Sequence, residues 1–466
     1  MDLPLFLERD LVSVVHSQPL FSGQTLVIAR NENSDLLPLS KECSQEFFEN
    51  VFDANGPLWR TYDETRMGVR PFNSKHVHFV AGRMYFSRNV EKRFMRNPGI
   101  EKTFSWHSKN GLVETSPLSI ENLLLMASFP FDAVGQAIDM ALFALYAEQK
   151  LRAFPSFSQQ ATHFVSEHAG RISNPVAVSE AAQEGAVRSM QYSFVSSLAS
   201  AFKTPLVTSS AWQSCEAEQL YALLSENKVD EAVERFGFHS ESPYDVSIPR
   251  FQENPASAMR LMQPAPKDKY ARWRENAKMV CSRYLSVLRN TYIEVSHRTG
   301  VGTPVFHARI SELPLILGDS SKWSDVLAER KKRFDAHSWQ STPAVLVFSD
   351  KKWFDLPHSD GVVSGKPAGA PFSVTAECVF VNEDSDYEKN VNGKIIVSHS
   401  FSPRLSTLFK DAVGVVSETG GALSHSAIIA RELRIPCIVQ THNISSLIQG
   451  RTLIMDGKTG SIRMHP

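Results

Sequence analysis

The spacing of hydrophobic and polar positions changes along this chain, and the changes divide it. From about residue 118 to about residue 300, apolar residues recur at three- and four-residue intervals, the spacing of a buried helix face. That pattern predicts helices over Ile120–Phe129, Phe131–Leu151, Ala177–Phe202, Trp212–Ser225, Val229–Phe236 and Tyr270–Arg298. In the last of these Trp273, Val280, Tyr284, Leu288 and Tyr292 form one stripe. Before this region the apolar runs are short. Leu26–Arg30 reads as a strand, and His76–Ser87 alternates about Gly82 as a hairpin does. His76 and His78 share one face of it. With no third ligand in view, that face is expected to be a half-exposed strand surface and not a metal site. Ser40, followed by Glu42–Phe52, reads as a capped helix that ends at Gly56 and Pro57.

After residue 335 the pattern changes again. Residues 336–360 form a polar, proline-bearing linker with a strand over Pro343–Phe348 and a charged stretch, Asp350–Asp360, suited to a hinge. Glycine-rich residues 361–369 then lead into short elements. Strands are expected over Ala376–Val381, Lys394–Val397, Val413–Val416 and Cys437–Gln440, with short helices over Ser402–Phe409 and Ala427–Leu433. Asp456-Gly457 marks a terminal hairpin. The expected fold class is therefore α+β and multidomain. Residues 1–335 hold a small N-terminal β element and a largely helical central domain, 336–360 a linker, and 361–466 an α/β domain.

Composition narrows the function. A hydrophobic fraction of 42% is that of a globular protein, and a formal net charge of −1 makes no electrostatic case for nucleic acid or an anionic membrane. The N-terminus lacks the basic region and apolar core of a signal peptide, and no run approaches the ~20 apolar residues of a membrane span. Five scattered cysteines with no CxxC argue for a reducing, cytoplasmic setting and against zinc.

The chemistry concentrates in Thr419-Gly-Gly-Ala-Leu-Ser-His425-Ser-Ala-Ile-Ile-Ala-Arg-Glu-Leu-Arg-Ile-Pro436. Gly420 and Gly421 allow a sharp turn after a buried strand, and Ser424 is placed to cap the helix that follows. His425 then falls in the first helical turn, where free N–H groups and the helix dipole favour a neutral imidazole with an anion beside it. A histidine that carries a phosphoryl group needs this setting. The stretch resembles the phosphohistidine signature of the phosphoenolpyruvate-utilising enzymes, among them phosphoenolpyruvate synthase, pyruvate phosphate dikinase and rifampicin phosphotransferase. Leu423 stands where the synthases often have threonine. The resemblance implies a swivelling domain with His425 as phosphoryl carrier, Gly420 and Gly421 binding phosphate, and Arg431 offsetting its charge. Thr419 and Ser424 belong to the same catalytic group.

The loop Arg235–Pro255 interrupts the helical pattern with charges, aromatics and turn residues. It resembles part of the middle domain of rifampicin phosphotransferase-like proteins, with Gly237, Asp245, Pro249 and Arg250 on the pattern, but Phe238-His239 and Pro243 off it. Two readings stand: His239, Asp245 and Arg250 bind a substrate hydroxyl or phosphate, with His239 as base, or the loop is pinned by an ion pair and a cap from Asn254 or Ser257.

No G-x-x-x-x-G-K-[ST] is present, and no glycine-rich cradle of an ATP-grasp domain is visible. The phosphoenolpyruvate-binding barrel of the synthases is not visible either. The resemblance therefore implies one subunit of a split, dikinase-type phosphotransferase. ATP and Mg²⁺ are expected on an ATP-grasp partner, and a small-molecule hydroxyl is the acceptor. The alternatives are a non-catalytic or regulatory relative, and a phosphoryl relay to another protein.

Overall fold

The structure is a computed structural model. Apart from single positions within these ranges, it describes residues 7–16, 26–30, 36–60, 75–87, 120–169, 172–201, 215–261, 269–337, 342–349, 352–355, 363–381, 386–401, 405–418, 420–421, 424–441, 444 and 447–465. The helices are α1 (Glu8–His16), α2 (Glu42–Val51), α3 (Ile120–His168), α4 (Pro175–Ala201), α5 (Glu216–Ser225), α6 (Val229–Phe236), α7 (Lys269–Thr299), α8 (Leu313–Gly318), α9 (Ser320–His337) and α10 (His425–Glu432). The chain is mixed α and β, with a helical body and two separate sheets.

The first sheet is antiparallel. It contains β1 (Leu26–Ala29), β2 (Val77–Val80), β3 (Arg83–Ser87), β4 (Val345–Ser349) and β5 (Lys352–Asp355), in the order β2-β3-β1-β4-β5. β1 pairs Ile28 with Ser87 on one side and Leu346 on the other. Within the stretch expected to link the two parts of the chain, β4 and β5 thus extend the N-terminal sheet; residues 356–362 lie outside the described residues. The β2–β3 turn places Ala81 and Gly82 at φ 49° and 75°, the left-handed pair that a tight hairpin requires. The face carrying His76 and His78 is not half-exposed: both side chains are buried, and the His76 ring packs edge-on to Phe52 and Phe86.

The helical body is built on α4 against α7. The Tyr284 ring of α7 lies against the α4 backbone at Gly185, where a Cβ would lie 2.2 Å from its Cε1. Tyr192, Tyr284, Phe154 and Phe157 fill the space beside it, with Phe157 stacked on both tyrosines. The predicted helices over 120–129 and 131–151 are one helix, α3, which runs on through Pro130 and Pro155 to His168. A proline removes one helical hydrogen bond, a local loss that continued packing along the helix can outweigh. α2 starts without a cap from Ser40, whose hydroxyl donates instead to the Gly82 carbonyl at 2.9 Å.

The second sheet has eight strands. They are β6 (Val363–Ser364), β7 (Lys366–Pro367), β8 (Ser373–Phe380), β9 (Ile395–Ser398), β10 (Gly414–Ser417), β11 (Cys437–Val439), β12 (Thr452–Asp456) and β13 (Ser461–Met464). Their order is β6-β13-β12-β8-β9-β10-β11-β7. β6 and β7 are consecutive in the chain yet lie at opposite ends of that order, so the sheet curls almost into a barrel. Gly365 makes this possible, since a Cβ there would meet the Val439 carbonyl oxygen at 2.6 Å. The terminal hairpin turns over four residues, 457–460, and Asp456 Oδ1 accepts the N–H of Lys458 at 2.9 Å. The expected helix over 402–409 is a three-ten turn, Leu405–Lys410.

Candidate functional site

β8, β9, β10 and β11 run parallel, and α10 crosses from β10 to β11. The loop after β10 therefore sits at the C-terminal edge of the parallel strands, where open α/β sheets place ligands. β10 is wholly buried, and Ala427 and Ala430 seat α10 with no side-chain exposure. Gly420 adopts φ 98°, a conformation that a side chain would strain.

Ser424 is the N-cap, with φ −66° and ψ 157°, and its Oγ accepts the N–H of Ala427 at 3.3 Å. The Ser424 N–H itself donates to the Gly421 carbonyl at 3.0 Å. Of the four backbone donors that a helix start leaves over, two are thus met locally. Those of His425 and Ser426 meet no acceptor among the described residues. They are suited to an anion. His425 is the first residue of α10; its ring and Thr419 lie outside the described residues. Arg431 lies in the last turn, and its Nη1 donates to the Ala368 carbonyl at 3.3 Å. Past the helix end, Arg434 turns left-handed at φ 57°, with Ile435 N–H returning to the Ala430 carbonyl at 3.0 Å. Pro436 follows that stop.

One group beside this loop was not legible in the sequence. Glu418, directly after β10, is held by Arg30 Nη2 at 2.8 Å and by His399 Nδ1. Arg30 also donates to the Thr342 carbonyl at 3.0 Å. Burial opposes ionisation of Glu418, yet Arg30, then His399 and Arg83, hold its carboxyl down at about 2. Arg83 is lowered to about 10, first by burial and then by the like charge of Arg30.

The three residues predicted in the helical region come together there, away from α10. Phe251 N–H donates to the His239 carbonyl at 2.8 Å, which folds the loop on itself. Asp245 Oδ1 accepts from Ser44 Oγ and from the Ser247 N–H, both at 2.8 Å. Arg250 is fully buried and donates through Nη1 to Ser240 Oγ at 2.8 Å. Its Nε and Nη2, and Nδ1 of His239, are buried without a partner among the described residues. Burial first, then the charges of Arg250, Lys278 and Arg283, lower the His239 pKa to about 3, so its ring is neutral at ordinary pH. The pinning ion pair is Arg289–Glu253, 2.7 Å, and Glu253 also accepts the Arg250 N–H at 3.0 Å. Asn254 makes no side-chain cap; Ser257 Oγ donates to its carbonyl at 2.6 Å. The loop is held by an ion pair, as its second reading expects, and it also carries polar atoms of Arg250 and His239 that lack a partner among the described residues. No described contact joins it to α10.

Residues 390–460 match the family described as PEP-utilising enzyme, mobile domain. The chain is 27% identical over 168 residues to a rifampicin phosphotransferase of Bacillus subtilis, an alignment covering 34% of this chain and 19% of that protein. It is 32% identical over 108 residues to a probable phosphoenolpyruvate synthase of Staphylothermus marinus, covering 23% and 12%. Over 70 residues it is 43% identical to the prodigiosin synthesizing transferase PigC of Serratia marcescens, covering 15% and 8%. Each of these alignments spans less than a fifth of the relative's own length. The near-barrel domain places the backbone of His425 beside the edge of a parallel sheet, within the stretch that matches this mobile domain. Residues 390–460 thus resemble the mobile domain of the phosphoenolpyruvate-utilising enzymes, and the relatives aligned with this chain carry phosphotransferase and phosphoenolpyruvate synthase names. No helix among the described residues is long and apolar enough to cross a membrane.

Proposed function

We propose that this chain is a phosphotransferase component that carries a phosphoryl group on His425. The observation that carries the reading is the Gly-Gly-x-x-Ser-His stretch at the start of α10, with two backbone N–H groups that meet no acceptor among the described residues. An imidazole nitrogen attacks the donor phosphorus; the N–P bond forms as the P–O bond to the leaving group breaks. An acceptor hydroxyl then attacks phosphorus; the N–P bond breaks as the new O–P bond forms, and the hydroxyl proton passes through solvent to the released imidazole nitrogen. Gly420, Gly421 and the first-turn N–H groups stabilise the phosphoryl oxygens throughout. Ser424 caps the helix, and Thr419 is placed by the sequence in the same catalytic group. Arg431, at the far end of α10, supports the fold of the loop through Ala368.

In this reading the near-barrel domain swivels, ATP and Mg²⁺ are held by an ATP-grasp partner in the cytoplasm, and the acceptor is a small molecule bound at His239, Asp245 and Arg250. A ring with a pKa of about 3 is a weak proton acceptor, so His239 serves there as a neutral hydrogen-bonding group and not as the base. A second reading, relay to another protein, is favoured by 36% identity over 102 residues to a phosphoenolpyruvate-protein phosphotransferase of Cupriavidus necator.

The test is intact mass after incubation with Mg-ATP and a candidate ATP-grasp protein, and separately with phosphoenolpyruvate, for wild type and His425→Ala. An acid-labile gain of about 80 Da, absent from the variant, is expected. No gain with either donor would leave a binding or regulatory module.

A further inference from the structure

The two parts of the molecule keep their apolar cores apart. Each described hydrophobic cluster lies wholly within residues 7–353 or wholly within residues 363–462. Among the described residues, the ion pair that spans the two is Arg30–Glu418, at 2.8 Å, with side chains 6% and 5% exposed. Arg30 follows β1 of the antiparallel sheet, and Glu418 follows β10 of the near-barrel. His399 holds the other oxygen of the same carboxylate from within the near-barrel. Arg83 adds a second buried positive charge on the sheet side.

This combination has a physical meaning. Domains that share a large apolar core move as one body, whereas domains that meet through a polar joint separate and re-dock. A buried ion pair adds little net stability, because desolvation offsets attraction, but it punishes every geometry that leaves one charge unmatched. Such a contact specifies a docked pose without welding it. When the domains part, water takes up Arg30, Arg83 and Glu418 together, and no charge is stranded.

The location of Glu418 gives the contact a role. It stands two residues before Gly420, in the turn that leads to the Ser424 cap and His425. Its own N–H donates to the Ser398 carbonyl at 3.0 Å, so the carboxylate and the start of the turn are fixed as a unit. We propose that Arg30–Glu418 is the latch by which the near-barrel domain docks on the five-stranded sheet, with Glu418 as the positioning residue that sets the His425 loop in the docked pose. The inference takes from the carrier reading only the reason for the domain to move. Its test requires no phosphoryl transfer.

The experiment uses the full chain with spin labels on cysteines introduced at the exposed positions Asp230 and Lys458; the five native cysteines are buried. Pulsed distance measurement on the otherwise wild-type chain should give one dominant docked distance. Glu418→Gln and Arg30→Met lie on opposite sides of the joint. Each should broaden the distribution and cut the docked fraction at least tenfold relative to the undocked one. The double variant should lose no more than the worse single variant. Two results would overturn the latch: an unchanged distance in both variants with only a lower melting temperature, which is the mark of a permanent joint, or single losses that multiply in the double variant. A chain never phosphorylated at His425 that still undocks on Glu418→Gln would retain the latch and lose the carrier reading. A phosphorylated chain that never undocks would do the reverse.

Discussion

The helical region and the near-barrel domain handle their polar chemistry in opposite ways. The helical region draws it inward: His239, Asp245 and Arg250 are buried, and their partners come from α2 and the loop itself. The near-barrel domain brings its histidine to the edge of a parallel sheet, at the start of an eight-residue helix whose His425 and Ser426 N–H groups meet no acceptor among the described residues. The first arrangement depends on many distant contacts and is easily broken at a distance. The second is made by one continuous stretch of chain and needs little besides a strand behind it. The separate apolar cores imply that the two regions also unfold separately.

Substitutions can break or sharpen that comparison. The largest effect is expected from Arg289→Met, which strands Glu253 and frees the Val246 and Ser247 carbonyls. It should cost the helical region about 3–5 kcal/mol in denaturant unfolding and leave the near-barrel transition in place. If both transitions move together, the regions are one cooperative unit. Gly185→Ala, which drives a Cβ into Tyr284, should cost about 1–3 kcal/mol in the same transition only.

Acid should separate the regions next. His78 and His239 are both lowered from 6.5 to about 3, chiefly by burial, so the folded chain holds them neutral while the unfolded chain protonates them. Their contribution is complete above pH 6.5 and falls away as pH drops toward 3. Glu418 is depressed from 4.5 to about 2, and its contribution is lost only as pH falls through that lower range. Unfolding midpoints measured between pH 6.5 and 4.5 should therefore decline for the helical region and stay level for the near-barrel. The smallest effect is expected from Ser424→Ala. Loss of the cap should lower near-barrel stability by about 1 kcal/mol by thermal unfolding, with the helical region unmoved.

What was legible follows the same division. The strand, glycine turn, cap and helix around His425 were all readable, because each depends on residues within a few positions of one another. The helix predicted over Val229–Phe236 is the one observed, since its apolar face repeats without interruption. Ser40 was misread: its hydroxyl has two local uses, and the β2–β3 turn, far along the chain, took it. The break expected between 129 and 131 is absent, since α3 runs unbroken from Ile120 to His168. The buried state of His76 and His78 was illegible, because a strand's own alternation does not say what covers its second face.

By itself, the sequence determined the sites of local backbone chemistry and the faces that must be buried. Turn geometry, caps and apolar periods are short-range properties of the chain. The tertiary structure alone decided which charges meet. Arg30 and Glu418, Ser44 and Asp245, and Glu253 and Arg289 are distant in sequence. Nothing periodic marks a charged residue for one partner over another; the pairing exists only once folding has removed water from both.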